Sequence, residues 1–324
     1  MADTSVTVTY DHVYAATAEK TTKVAHRQVF YKHPLMYWLD KVRPKGGRKE
    51  DGSGRDGKIE RRVTKTRVYG TKTWGRGTTF DSNDPELYTI AKYRYGQLGM
   101  PLTRYYEDEL ENSGEAQIIN EVTDKMSVAL DSMREDVALQ MVETTPGTRH
   151  LWGPLYYVRE DPTADLSIAE INQSTNTWWR NQTSNMTGLA AVSHLDKYMF
   201  DLMLTCGQWG SIDYIICSTD VFSLYNDVTT DDRIITSNAM GDAAFKKLGY
   251  KGIPLVVDYD FPSGTLLMVD SSAWEWQPDP RCYFKWQKFE RLPNGVDKQA
   301  QLLVRAQLLC TKRRSQGILY NIAA

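Results

Sequence analysis

Several groups in this sequence could do chemistry, and the context of each decides what it can be. Gly52, Gly54 and Gly57 in the run GSGRDG match G-x-G-x-x-G, whose glycines let a backbone approach a pyrophosphate at a helix N-terminus. Binding by that route needs a strand before the glycines and a helix after them. Here a charged loop precedes and an alternating, strand-like segment follows, so the run reads as a flexible loop. A nucleotide-dependent enzyme built on it is a rival that a thermal shift with nucleotides would expose. No Walker A sequence and no G-x-S-x-G elbow occur. His12, His26, His33, His150 and His194 include no H-E-x-x-H and no i, i+4 pair, so no metal site is expected. Glu107, Asp108, Glu109 and Glu111 crowd together, but a general acid needs burial to raise its pKa and an exposed cluster does not supply it. Asp258 and Asp260 flank Tyr259 at a strand end. Cys206, Cys217, Cys282 and Cys310 form no C-x-x-C pair and read as reduced core residues. The expectation is a protein that is not an enzyme, with no catalytic residues, no cofactor and no metal.

Composition sets the class. A chain of 324 residues allows about two domains, or one with long extensions. Hydrophobic residues at 41% and charged residues at 25% suit a soluble globular protein and are too apolar for a disordered one. No run approaches the ~20 apolar residues of a membrane span, and residues 1–20 lack the basic-then-apolar order of a signal peptide. The sequons at Asn172, Asn181 and Asn185 therefore have no route to glycosylation. The net charge of −2 hides two opposed blocks. Residues 41–80 carry thirteen Lys and Arg against four Asp and Glu, a net of +9, and residues 105–144 carry two against eleven, a net of −9. A basic block can be a solvated face, a nucleic-acid patch or a partner for the acidic block.

The elements that would position these charges follow from periodicity. Residues 1–22 show no period and read as an extended or flexible arm. Residues 26–42 are aromatic-rich, with Pro34 interrupting any helix. Residues 58–69 and 86–95 alternate and are rich in β-branched and Tyr residues, predicting two strands that close as a long hairpin. A two-stranded ribbon is marginal in water, so it must lie against something else. Residues 114–143 predict a helix of ~45 Å with Asn112 as N-cap and Glu115 completing a capping box. Ile118, Val122, Met126, Ala129, Met133, Val137 and Met141 form its apolar stripe, and the other face is acidic. A mixed α/β unit follows: a helix over 188–206, a strand over 212–217, a short helix capped by Thr219, and strands over 253–260 and 264–270. Last, Leu302, Val304, Ala306, Leu308 and Cys310 give a long strand with one apolar face.

This order, with the segments INQSTNTWWRNQ (171–182), IDYIICSTDVFSLY (212–225), LGYKGIPLVVDYDFPSGTLLMVDSSAW (248–274) and LLCTKRRSQGILYNI (308–322), resembles the tailed-bacteriophage major capsid proteins of the Hong Kong 97 type. The resemblance covers about residues 25–322 and implies an α+β fold: an N-terminal arm (1–45), a long β-hairpin extended loop (46–104), a peripheral domain with a long spine helix (105–187 and 280–324), and an axial domain (188–279). The implied function is structural. Copies of the chain would form pentamers and hexamers of an icosahedral shell around a double-stranded DNA genome.

The resemblance also gives the charge blocks a role. Lys58, Arg61, Arg62, Lys65 and Arg67 of one subunit would face acidic residues such as Glu121, Asp124, Asp131 and Glu135 of the next. Some relatives fuse a scaffolding domain ahead of the first aromatic-rich segment; only some two dozen residues stand there in this chain, which implies a separate scaffolding protein. A portal protein, weak contact with packaged DNA, no membrane, assembly in the host cytoplasm and residence in the virion capsid complete the expectation. Two other readings stay open. An encapsulin-like nanocompartment shell shares the fold, and a nucleic-acid-binding protein could use segment 41–80, its Arg, Tyr and Trp74 tracking phosphates and stacking bases.

Overall fold

The computed structural model describes residues 34–42, 57–67, 73–79, 86–106, 115–188, 191–228, 248–293 and 295–322. The expected arm at 1–22, most of GSGRDG, the Asn112 cap and both ends of the +9 block's loops lie outside the described residues. The first element is helix α1 (Pro34–Lys41). Pro34 therefore opens a helix and does not interrupt one, because at the first turn its missing N–H is not needed. Leu35, Trp38 and Leu39 are buried, and the Trp38 indole N–H donates to Ser271 Oγ at 2.9 Å.

Strands β1 (Ile59–Thr64) and β2 (Tyr88–Tyr93) form the expected antiparallel hairpin. They are shorter than the alternation predicted. Strand β3 (Gly96–Arg104) follows, and then helix α2 (Glu115–Met141), 27 residues and so about 40 Å long. Met126, Ala129, Met133, Val137 and Met141 are buried as the stripe predicted, together with Leu130 and Ala138, while the side chains of Ile118 and Val122 lie outside the described ones. Beyond α2 the chain turns back into the short helix α3 (Pro154–Tyr157). Gly153 makes that return feasible: a Cβ there would stand 1.6 Å from the Met141 carbonyl oxygen. Two short paired strands, β4 (Ser167–Ile168) and β5 (Ile171–Asn172), come next.

The second unit contains β6 (Gln182–Asn185), helix α4 (Ala191–Gly207), β7 (Tyr214–Cys217), helix α5 (Thr219–Val228), β8 (Leu248–Tyr250), β9 (Ile253–Val257) and β10 (Leu266–Val269). The Ser218 carbonyl accepts from Phe222 N–H at 3.0 Å, so the cap falls one residue before Thr219, which is already helical. After these come β11 (Trp274–Pro278), β12 (Lys285–Trp286), β13 (Glu290–Arg291), the long β14 (Lys298–Cys310) and β15 (Gly317–Tyr320).

Two sheets organise the molecule. In the first, β14 is central, with β3 along one edge and β11, β12 and β13 in turn along the other, all antiparallel. Ala300, Leu302, Val304, Ala306, Leu308 and Cys310 on one face of β14 are buried in the main core, which also contains the α2 stripe. The second sheet runs β6-β15-β10-β7-β9-β8. The strands at 253–257 and 266–269, consecutive in sequence, are not neighbours in it: β7 lies between them, parallel to β9 and antiparallel to β10. Lys251 and Gly252, both with positive φ, close the β8–β9 hairpin. Alternate residues of this sheet serve two cores. Tyr214, Ile216, Leu267 and Val269 face the main core, whereas Ile215, Cys217, Leu266 and Met268 pack with Leu195, Met199 and Leu202 of α4 and Val221 and Phe222 of α5. Burial on both faces explains why IDYIIC and TLLMVD read as unbroken apolar runs. No helix among the described residues is long and apolar enough to cross a membrane.

Candidate intersubunit surface

Successive side chains of a strand point to opposite sides, and this gives the β1–β2 hairpin two unlike faces. Ile59, Val63, Ala91 and Tyr93 are buried in the main core. Arg62, Thr64, Tyr88 and Ile90 are exposed. The register sets Arg62 opposite Ile90 and Thr64 opposite Tyr88, and the Arg62 guanidinium lies 5.1 Å from the Tyr88 ring centroid, a cation–π contact. An aromatic and aliphatic stripe carrying a cation therefore faces away from the subunit.

The support that a two-stranded ribbon needs comes from the same chain. Tyr93 Oη donates to the Cys310 carbonyl at 2.6 Å, and the Lys92 amide donates to the Ala169 carbonyl at 3.0 Å. Arg61 Nε and Nη2 each donate to Glu275 on β11 at 2.9 Å, a two-pronged pair that is mostly buried. Lys58 Nζ meets Glu170 at 2.5 Å, and Lys65 pairs with Glu86 across the hairpin. Burial pushes the Tyr93 hydroxyl well above its ordinary pKa, and the Lys58 hydrogen bond holds Glu170 below the usual carboxylate range.

These contacts divide the five basic residues singled out by sequence. Lys58, Arg61 and Lys65 each have a carboxylate of their own chain. Arg62 and Arg67 are the exposed ones. Of the four acidic residues, Asp131 and Glu135 are exposed on α2, and the side chains of Glu121 and Asp124, on the same helix, lie outside the described ones. Val128 and Leu139 are 64% and 49% exposed on α2. Residues 128, 131, 135 and 139 recur at helical spacing, so two acids stand between two apolar residues on one face. Asp131 also pairs at 2.6 Å with Arg134, a buried side chain whose Nε and Nη2 have no hydrogen-bond partner among the described residues. Burial lowers the Arg134 pKa and Asp131 opposes that shift.

Sequence reasoning missed Glu275, Glu170 and Tyr93 as the hairpin's partners. Glu275 had a signal, a lone acid between two tryptophans in WEWQP. It also missed Arg313, which is fully buried in the turn between β14 and β15. Arg313 donates to the Tyr157 carbonyl at 2.7 Å, the Trp179 carbonyl at 2.9 Å, Gln173 Oε1 at 3.0 Å and Asn181 Oδ1 at 3.1 Å. Burial pulls its pKa down to about 10, so the guanidinium stays charged at neutral pH and is held by neutral acceptors. Among the described residues no group of three or more His, Cys, Asp or Glu could hold a metal ion.

No family model matches the chain, and no curated protein matches it. Solved structures do. The Cyanophage A-1(L) capsid asymmetric unit is 15% identical with a TM-score of 0.61, covering 90% of this chain and 93% of that one. The capsid of an empty GTA particle is 13% identical with a TM-score of 0.57, covering 88% and 90%. The holo-SrpI encapsulin complex from Synechococcus elongatus PCC 7942 is 12% identical with a TM-score of 0.56, covering 88% and 87%. At such identities the property shared is the fold.

Proposed function

We propose that this chain, which has the α+β fold of the Hong Kong 97 type capsid, is the repeating subunit of an icosahedral shell: a tailed-phage major capsid protein forming pentamers and hexamers around a double-stranded DNA genome. The observation that carries the reading is the extent of the likeness, which runs over nine-tenths of the chain. Arm, extended loop, peripheral domain and axial domain are assigned to 1–45, 46–104, 105–187 with 280–324, and 188–279. The separate core beneath α4 and α5 supports treating the axial part as its own unit.

In this reading the principal partner is another copy of the chain. The outward hairpin face, with Arg62, Tyr88 and Ile90, meets the spine-helix face carrying Val128, Asp131, Glu135 and Leu139 on a neighbour, with Arg67 beyond the end of β1 and Glu121 and Asp124 earlier in the helix as further members of the contact. Lys58, Arg61 and Lys65, already beside carboxylates, add less. Exposed ion pairs are worth ~0 to 1 kcal/mol each, so they steer and register the contact while apolar area repeated over every subunit stabilises it. Closed rings then follow from closed symmetry. A separate scaffolding protein, a portal protein and weakly held DNA are the other partners, with assembly in the host cytoplasm. Negative-stain electron microscopy of the recombinant chain, alone and in lysate containing any scaffolding partner, tests this. Closed shells or rings of five and six are expected, and a persistent monomer in both overturns it.

The likeness to an encapsulin complex favours one second reading, a nanocompartment shell. Purified shells distinguish the two: nuclease-protected DNA indicates the phage reading, and a co-purifying protein cargo without nucleic acid indicates the other.

A further inference from the structure

Arg61 and Arg62 are adjacent and chemically identical, yet the alternation of β1 sends them to opposite faces. We infer that Arg61 is a positioning residue: through its two-pronged pair with Glu275 it fixes the direction in which the hairpin leaves the body, and Arg62 is left to meet the partner. The inference rests on the shell reading for its purpose, but the latch itself belongs to the single subunit.

Glu275 suits the role because its own strand is paired along its whole length with β14. It lies opposite Leu309 in the β11–β14 pairing, between Trp274 and Trp276, both buried. A planar guanidinium held at two points resists both rotation and sliding, which a lysine at the same place would not. Of the other root contacts, Tyr93 to Cys310 and Lys92 to Ala169 come from β2, and Lys58 to Glu170 comes from the residue just before β1, on a flexible and half-exposed pair. The Arg61 pair is on β1, so each strand of the hairpin has its own attachment and the ribbon cannot pivot about one edge.

The Lys92 amide is a direct reporter, since its acceptor, Ala169, belongs to the body and not to the hairpin. Hydrogen exchange of the unassembled full chain is measured for wild type, Arg61→Ala and Arg62→Ala. Arg61→Ala is expected to raise Lys92 exchange about tenfold or more while β14 amides stay protected, because loss of two charge-assisted hydrogen bonds shifts a local opening equilibrium by at least that factor. Arg62→Ala is expected to leave Lys92 exchange unchanged and to lower shell yield only. The exchanged pair R61E/E275R is expected to restore protection. Wild-type exchange at Lys92 in Arg61→Ala overturns the inference. If Arg61→Ala unfolds, Arg61→Lys is measured in its place, and wild-type Lys92 exchange there overturns it equally. Failure of the wild type to form shells would remove the shell reading and leave the exchange result to judge the latch.

Discussion

The phenol of Tyr93 donates to the main-chain carbonyl of Cys310 across 2.6 Å, a bond between residues 217 positions apart. It ties the second hairpin strand to the end of the strand that crosses the main core. Tyr93→Phe keeps the ring and leaves that carbonyl unsatisfied, and it should cost about 1–3 kcal/mol in urea unfolding. Burial raises the Tyr93 and Tyr157 hydroxyls well above the usual value near 10. A raised folded pKa means the proton is bound more tightly in the native state, so this contribution is complete below about pH 10 and is lost as pH climbs through the folded value. Tyr93→Phe should therefore lose less stability than wild type on alkaline titration, and parallel curves would contradict this.

Arg313→Met fills similar volume but leaves the Tyr157 and Trp179 carbonyls and Gln173 Oε1 without the guanidinium that satisfies them, while Asn181 Oδ1 keeps the Arg159 amide. A loss of at least ~3 kcal/mol is expected from denaturant midpoints. A loss below ~1 kcal/mol would mean that packing, not the guanidinium network, holds the turn between β14 and β15.

Thiol reactivity should sort by depth. Burial pushes Cys206 and Cys310 up to about 12 and raises Cys217 further still, so these three are expected to resist thiol reagents in the native subunit. Cys282 is only partly buried and should react first. Mass spectrometry after brief alkylation reads the order, and early labelling of Cys217 would be inconsistent with the sheet described above.

Charge reversal addresses the interface. Arg62→Glu should abolish or strongly reduce shells without changing the thermal midpoint of the subunit, and Glu135→Arg in the same chain should recover part of the yield. Normal shells from Arg62→Glu alone would remove Arg62 from the contact.

Much of this was legible because periodicity reports burial. The α2 stripe at Met126, Met133, Val137 and Met141 and the alternation at Leu302, Val304 and Ala306 each named a face that is buried. Periodicity does not report which of two polar faces turns inward. In IERRVT, Ile59 and Val63 mark the inner face and place Arg61 on it, but only the acid waiting at Glu275, 214 residues away, makes that arginine an anchor. Arg313 was invisible for a related reason: two of its acceptors are main-chain carbonyls, which leave no trace in residue types, and the other two, on Gln173 and Asn181, are neutral amides more than 130 residues away. The insertion of β7 between β9 and β10 is likewise a matter of connectivity, and adjacent apolar runs do not encode it.

The position of β14 and β15 also constrains how the subunit is made. Each is an interior strand of its sheet, β14 between β3 and β11–β13 and β15 between β6 and β10. Everything that pairs with them precedes them in the chain. While the ribosome is still adding residue 297, the first sheet lacks its central strand and the apolar face of α2 has no complete sheet to close upon, whereas β7, β9 and β10 of the second sheet are already present. Pairings of such sequence separation are slow to form, so the main core is the last part of the subunit to close, after β14 has been made.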